Sequence, residues 1–182
     1  MEGTEPTRIC VHGASGSGKS TLARAIGERL GLPVVELDAI YHQADWVSLP
    51  DDEFAEAAEQ IAAGDAWVTD GNYSATRPAL WARAQRIVII DLPRSLVLFR
   101  LLRRTLRRGI RREELWNENR ESLRNLLSLD PDRNLLIWSY RTHHRYRDEL
   151  PAAAAATGAE VVVLRSRAEV AEHLDGLRPQ TL

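Results

Sequence analysis

Lys19 is the only lysine in a chain of 182 residues whose 24 basic positions are otherwise all arginine. It lies in the run Gly13-Ala14-Ser15-Gly16-Ser17-Gly18-Lys19-Ser20-Thr21, which satisfies the pattern G-x-x-x-x-G-K-[ST] in full. Residues of these types at this spacing bind phosphate. Glycines at 13, 16 and 18 let the backbone turn its N–H groups inward, at the start of a helix whose positive dipole end already favours an anion. Lys19 would reach the β- and γ-phosphates of ATP as a flexible point charge, where arginine would offer a planar fork, and Ser20 would ligate Mg²⁺. A lone lysine placed without regard to chemistry would reach this position with odds of about one in 24.

The elements around the run suit that chemistry. Arg8 to His12 is a short β-branched strand, and Lys19 to Leu30 is an Ala/Leu/Ile-rich helix closed by Gly31 and Pro33. Val34 to Leu37 reads as a second strand. Ser48, Pro50 and Asp51 open a helix to about Ala63, and Ala66 to Thr69 forms a third strand. The run Arg86 to Leu92 is apolar throughout, as in a buried parallel strand, and Pro93 opens a helix ending at about Arg108, before Gly109. Helical segments are expected over about 113–129 and 132–150, with a weaker one at Ala152 to Ala156. A fifth strand follows at Glu160 to Leu164, and Ser166 with Glu169 makes a capping box on the last helix. Strands alternating with helices predict an α/β, three-layer P-loop NTPase fold: a five-stranded parallel sheet with helices on both faces. The ligand site is expected at the carboxyl ends of the strands.

Composition narrows the function. The length suits one domain over residues 1–182, and a net charge of −2 gives no general attraction to nucleic acid or membrane. Cys10 is the only cysteine, so neither a disulfide framework nor a cysteine zinc site is available, which fits a reducing cytosol. No apolar run approaches the roughly 18 residues of a spanning helix, and the N-terminus lacks the order of a signal peptide, so a cytoplasmic location is expected. With no lysine beyond Lys19, the chain has no Asn-Lys-x-Asp guanine motif. It also lacks an LSGGQ-like transporter signature, and its length leaves no room for the helical domain of a hexameric ATPase. A compact kinase remains, with ATP and a small-molecule or nucleotide acceptor as partners, as a monomer or homodimer.

The loop GASGSGKST, the segment LDAIYH followed by Trp46, the segments WVTDGNYS and IIDLPRS, and the closing VVLRSRAEV together resemble the adenylate-kinase-like P-loop kinases called topology modulation proteins, the FlaR type. The likeness runs from about Arg8 to about Leu177. It implies that Asp70 holds Mg²⁺ through water, as the Asp-Gly of nucleoside monophosphate kinases does. Those kinases continue with Pro-Arg after one residue, whereas Asn72-Tyr73-Ser74 follow here, and Arg77 or Arg83 is left as a displaced phosphate clamp or a surface residue. Asp38 resembles the acid with which small-metabolite kinases orient or deprotonate an acceptor hydroxyl, and Tyr41, His42 and Trp46 would line the acceptor pocket or form satellite core. Asp91 is expected to be structural.

The arginines Arg100, Arg103, Arg104, Arg107, Arg108, Arg111 and Arg112 form a basic stripe on an amphipathic helix. By likeness to adenylate kinases, Arg100 would stack on adenine and Arg104 would meet the phosphates, in or beside a helical, arginine-rich lid at about 104–132. Arg141 and Arg145 resemble the arginines that fold over the transferring group, and the loop from Arg165 corresponds to the adenine edge. The alternative is a nucleotide-dependent regulator or DNA-binding protein without kinase turnover, for which the arginine stripe is the sole support.

Overall fold

The computed structural model describes residues 5–111, 113–119, 126, 128, 130 and 134–178. Five strands, β1 (Arg8–Gly13), β2 (Val34–Glu36), β3 (Trp67–Asp70), β4 (Arg86–Ile90) and β5 (Glu160–Leu164), form one parallel sheet in the order β2-β3-β1-β4-β5. Position in the sheet explains composition. The inner strands β1, β3 and β4 are buried along nearly their whole length, whereas the edge strands β2 and β5 are mostly half-buried. The α/β parallel-sheet architecture read from the alternating pattern is therefore the observed one.

Helix α1 (Lys19–Leu30) buries Lys19, Leu22, Ala23, Ile26, Gly27 and Leu30, the i, i+3, i+4, i+7 spacing of one face. Gly27 lets that face close on the sheet, because a Cβ there would lie 2.2 Å from Val34 Cγ2. Helices α3 (Asp51–Ala63) and α4 (Arg77–Arg83) pack against each other, and α5 (Arg94–Arg111) lies over the glycine-rich run after β1. At α8 (Arg167–Gly176), Ser166 Oγ accepts from Glu169 N as in the expected capping box, while the Glu169 carboxylate reaches one residue further back and accepts from Arg165 N.

Several expectations are corrected. The second strand stops at Glu36, and the chain turns at once into α2 (Leu37–Tyr41), so Asp38 sits in a helical first turn and not on a strand end. Helix α4 was not foreseen, since its seven residues with Pro78 at the start are too few to show a period; Leu80 and Trp81 are its buried anchors. Helix α5 passes through Gly109 to Arg111 and does not end at about Arg108, so residues 104–111 are its last two turns. Within the expected helix 113–129, Trp116–Glu118 is a single 3₁₀ turn with Asn117 and Glu118 at φ 54° and 63°. Most of the remainder, and with it the second half of the expected lid apart from residues 126, 128 and 130, lies outside the described residues.

The expected helix 132–150 is α6 (Leu135–Thr142) followed by a π-turn (Arg145–Glu149) that leads into α7 (Leu150–Ala155). Pro151 is the cause: it has no N–H to give, and its ring crowds the carbonyl four residues back. The Leu150 N–H therefore reaches to the Arg145 carbonyl, five residues back. Among the described residues no helix is long and apolar enough to cross a membrane.

Candidate active site

β1 delivers the chain to the run from Gly13, which turns under the N-terminus of α1. Gly16 and Gly18 have φ of 90° and 101°, a region that side chains disfavour. A Cβ on Gly16 would lie 2.7 Å from the Val97 carbonyl and 2.9 Å from Leu101 Cβ, so α5 presses on the loop only because no side chain intervenes. Ser17 N donates to Ala14 O at 2.9 Å inside the turn. Ser139 of α6 reaches the Ser15 carbonyl at 3.5 Å, and Arg100 Nη1 donates to Ser17 O at 3.1 Å.

The parallel register sets Val11 beside Asp70 and Asp70 beside Glu36, so the ends of β1, β3 and β2 lie side by side. Their carboxylates converge on Lys19. Its Nζ is 3.7 Å from Asp70 Oδ1 and 4.0 Å from Asp38 Oδ2, and the lysine is only 8% exposed. Asp70 has its pKa raised, chiefly by burial and further by Asp38 and Glu36, against the pull of Lys19 and of a hydrogen bond from Ser20. Oδ1 of Asp70 is buried without a hydrogen-bond partner, Lys19 being within ion-pair range and beyond hydrogen-bond range. An orphaned carboxylate oxygen beside the Ser20 hydroxyl suits a hydrated cation that arrives with phosphates. Among the described residues no group of three or more His, Cys, Asp or Glu side chains could hold a metal unaided.

Asp38 is held from the other side. Tyr73 OH donates to its Oδ1 at 2.7 Å and lies 3.4 Å from His42 Nε2. Burial and then the Asp38 charge push the Tyr73 phenol far up, so it stays protonated and donates. His42 is pushed down by burial against the pull of Asp38. Tyr41 packs on Tyr73 at 4.5 Å and on Phe54 at 5.1 Å, so it is satellite core, whereas His42 and Trp46 stand edge to face at 5.2 Å nearer the surface.

The segment 113–119 docks on this side of the site. Asn117 Nδ2 donates to the Ala39 and His42 carbonyls, Asn119 bridges Gln43 O and Trp46 N, and the Trp116 indole donates to Glu36.

Two residues to which the sequence assigned no role, one within β1 and one just after β3, hold the site together. Asn72 pairs with both backbone groups of Gly13, donating to its carbonyl at 2.7 Å and accepting from its N–H at 3.2 Å. His12 lies beneath, accepting from the Trp81 indole N–H on Nε2 (2.9 Å), so its Nδ1 carries the proton given to Gly71 O (2.6 Å). What could have pointed to Asn72 is its place two residues beyond Asp70, on the strand next to β1.

Arg77 donates to the Asn72 carbonyl at 3.3 Å and lies over the Trp81 ring; burial first, and then Arg145 among its neighbours, lower its pKa. This brings Arg145 electrostatically close to the Asn72 region, while Arg141 is exposed and nothing among the described residues joins it to the loop. Arg104 is half-buried on α5, and Thr21 is exposed on α1. Arg165 turns its side chain to Asp91, whose buried Oδ2 lies 3.8 Å from Arg165 Nε and 3.2 Å from Arg147 Nε. Asp91 thus ties the loop after β5 to the π-turn.

With this geometry in view, comparison with known proteins gives a consistent picture. Residues 9–91, from β1 to the residue after β4, match the family described as "ATPase family associated with various cellular activities (AAA)". A bifunctional pantoate ligase/cytidylate kinase of Synechococcus sp. (strain JA-2-3B'a(2-13)) is 35% identical over 92 residues, 46% of this chain; the match spans only 17% of that protein's length. Among solved structures, shikimate kinase from Acinetobacter baumannii superposes with a TM-score of 0.55 at 16% identity, over 92% of this chain and 88% of that one. A gluconokinase from Sinorhizobium meliloti 1021 gives 0.53 at 22%, over 93% and 94%. Shikimate kinase from Bacteroides thetaiotaomicron gives 0.52 at 15%, over 94% and 95%. The chain therefore has the fold of small P-loop kinases, and the family match falls on β1 through β4.

Proposed function

We propose that this protein is a Mg·ATP-dependent kinase that phosphorylates a hydroxyl group of a small acceptor, on the adenylate-kinase-like plan of the FlaR-type group that its motifs resemble. The observation that carries the reading is the placement of Lys19 between two carboxylates of different surroundings, Asp70 buried beside Ser20 and Asp38 held by Tyr73.

Each residue then has a distinct task. The backbone N–H groups from Gly13 to Ser20 and the Lys19 ammonium hold the β- and γ-phosphates. Ser20, and Asp70 through water, would hold Mg²⁺, which when bound neutralises charge on the phosphates. Asp38 orients the acceptor hydroxyl. As the acceptor oxygen bonds to the γ-phosphorus, the bond from that phosphorus to the β,γ-bridging oxygen breaks, ADP departs with the electron pair, and the hydroxyl proton passes to Asp38. Arg100 braces the loop through the Ser17 carbonyl. Arg145, with Arg77 behind it, supplies positive charge on the side of the transferring group.

AMP is disfavoured as acceptor, because no arginine directly follows Asp70-Gly71-Asn72-Tyr73 to grip its phosphate. The names of the solved proteins with this fold are those of small-molecule kinases, which supports the class without naming the substrate.

The test is ADP release measured across nucleosides, nucleoside monophosphates and small hydroxyl metabolites, with hydrolysis alone as baseline. Acceptor-dependent turnover should appear and should vanish in Lys19→Ala. A protein that binds ATP and phosphorylates nothing in the panel refutes the reading.

A further inference from the structure

We propose that the outer face of α5, with the neighbouring rim of α6, docks on an anionic lipid surface. Helix α5 has two apolar faces, and packing explains one of them. Val97, Leu101 and Thr105 are buried against the rest of the chain. Phe99, Leu102, Leu106 and Ile110 follow at spacings of three, four and four, which sets them in a second row along the helix. They face solvent, 63%, 38%, 40% and 72% exposed. A helix whose only task was to cover the sheet and the loop would carry polar residues there.

The apolar surface continues onto α6. Leu98, Phe99 and Leu102 line a cavity of about 340 Å³ with Leu136, Ile137 and Tyr140, all of them apolar or aromatic. Tyr140 is itself 54% exposed, and the Arg94 guanidinium lies 4.7 Å over its ring. Exposed apolar surface as continuous as this, rimmed by charge, marks a contact face.

Charge decides what the face meets. Arg103, Arg107 and Arg111 each follow a member of the apolar row by one position and form an exposed row beside it, while Arg94 and Arg141 stand on the α6 side. Helix α5 carries seven arginines, and neither α5 nor α6 contains an aspartate or glutamate. Glu113, beyond the end of α5, pairs with Arg107 and Arg108. Anionic headgroups attract such arginines, whose stems lie along the apolar row as that row enters the acyl boundary. The net charge of −2 does not oppose this, because surface attraction acts only within about 10 Å.

Other occupants fit less well. A second copy docked through the same face would set arginine row against arginine row. A peptide held in the cavity would leave Ile110 bare, since it lies outside the lining and about two turns along α5 from Leu102. Duplex DNA would answer the arginines and leave the apolar row in water.

The experiment is flotation of the full chain with vesicles of phosphatidylcholine alone, and of phosphatidylglycerol and phosphatidylcholine in equal parts. The partition coefficient on the anionic vesicles should exceed that on the neutral ones by about tenfold or more and should fall as salt rises. Phe99→Asn with Ile110→Asn removes the two most exposed members of the row and no charge, and should cut binding to anionic vesicles by about tenfold or more. Arg103→Gln with Arg111→Gln should cut it by about fivefold for each arginine and change nothing on neutral vesicles. All these side chains are exposed, so unchanged melting temperatures check that the fold is kept. Equal binding to both vesicles, binding to neither, or variants that bind as the wild type does would overturn the proposal. So would a dimer that hides the face from vesicles and that Phe99→Asn with Ile110→Asn dissolves, or a preference for an acidic peptide or duplex DNA over the anionic vesicles.

Discussion

His12 should make this protein lose stability in mild acid, by an amount that its two hydrogen bonds determine. The indole of Trp81 can only donate, so a proton added at Nε2 would set two donors head to head across 2.9 Å in a site 4% exposed. Burial, reinforced by Arg77 and Lys19 against the Gly71 and Asn72 hydrogen bonds, pushes the imidazole down from 6.5 to about 4. The unfolded chain takes up a proton as pH falls through 6.5, and the folded chain does not until about pH 4. Across that window the unfolded state binds more protons, so stability falls as pH falls. Each pH unit is worth about 1.4 kcal/mol, which gives about 3 kcal/mol over the window.

Urea denaturation of the wild type and of His12→Gln at several pH values from 7.5 to 4.2 isolates this contribution, because the other histidines cancel in the difference. Glutamine keeps a donor and an acceptor and does not titrate. The variant should be the less stable protein at pH 7.5, and the gap should close by about 3 kcal/mol toward pH 4. A gap that stays constant with pH would refute the claim that the ring is held neutral between Trp81 and Gly71.

Other perturbations give separate readouts. Asp70→Asn should abolish most Mg²⁺-dependent turnover and still raise the melting temperature of the nucleotide-free protein, since burial opposes the Asp70 charge; a lower melting temperature with activity kept would contradict the assignment. Asn72→Ala leaves both backbone groups of Gly13 without their partner, so the KM for ATP should rise about tenfold or more, with about 1–3 kcal/mol lost in denaturant unfolding. Tyr73→Phe removes the donor that orients Asp38; kcat should drop by about tenfold, the loss of one charge-assisted hydrogen bond, while ATP affinity measured by calorimetry stays the same.

Much of the scaffold was legible in the chain because it is periodic or punctuated. The apolar run at Ile87 to Ile90 marks an inner strand, and Gly31 marks a helix end in the left-handed conformation. The glycines of the phosphate loop are legible for the same reason, as they answer a steric demand within a few residues. The features that escaped depend on contacts across the sheet. Asn72 matters because its side chain meets Gly13, 59 positions away in sequence, and no local pattern encodes that meeting. Asp38 was singled out for its type and expected at the end of a strand, since nothing in Leu37-Asp38-Ala39-Ile40-Tyr41 separates a strand's end from a one-turn helix. The break in the 132–150 helix was readable from Pro151, whose effect falls a turn upstream of itself.

The solitary lysine also makes this protein unusually easy to interrogate chemically. Its one side-chain amine sits in the phosphate cradle, 8% exposed and flanked by two carboxylates, so an amine-coupling reagent has a single internal target. On the proposed function, a nucleotide whose phosphates meet that ammonium should shield it. The fraction of chains modified at Lys19, read by mass, therefore counts open cradles directly, with no residue replaced.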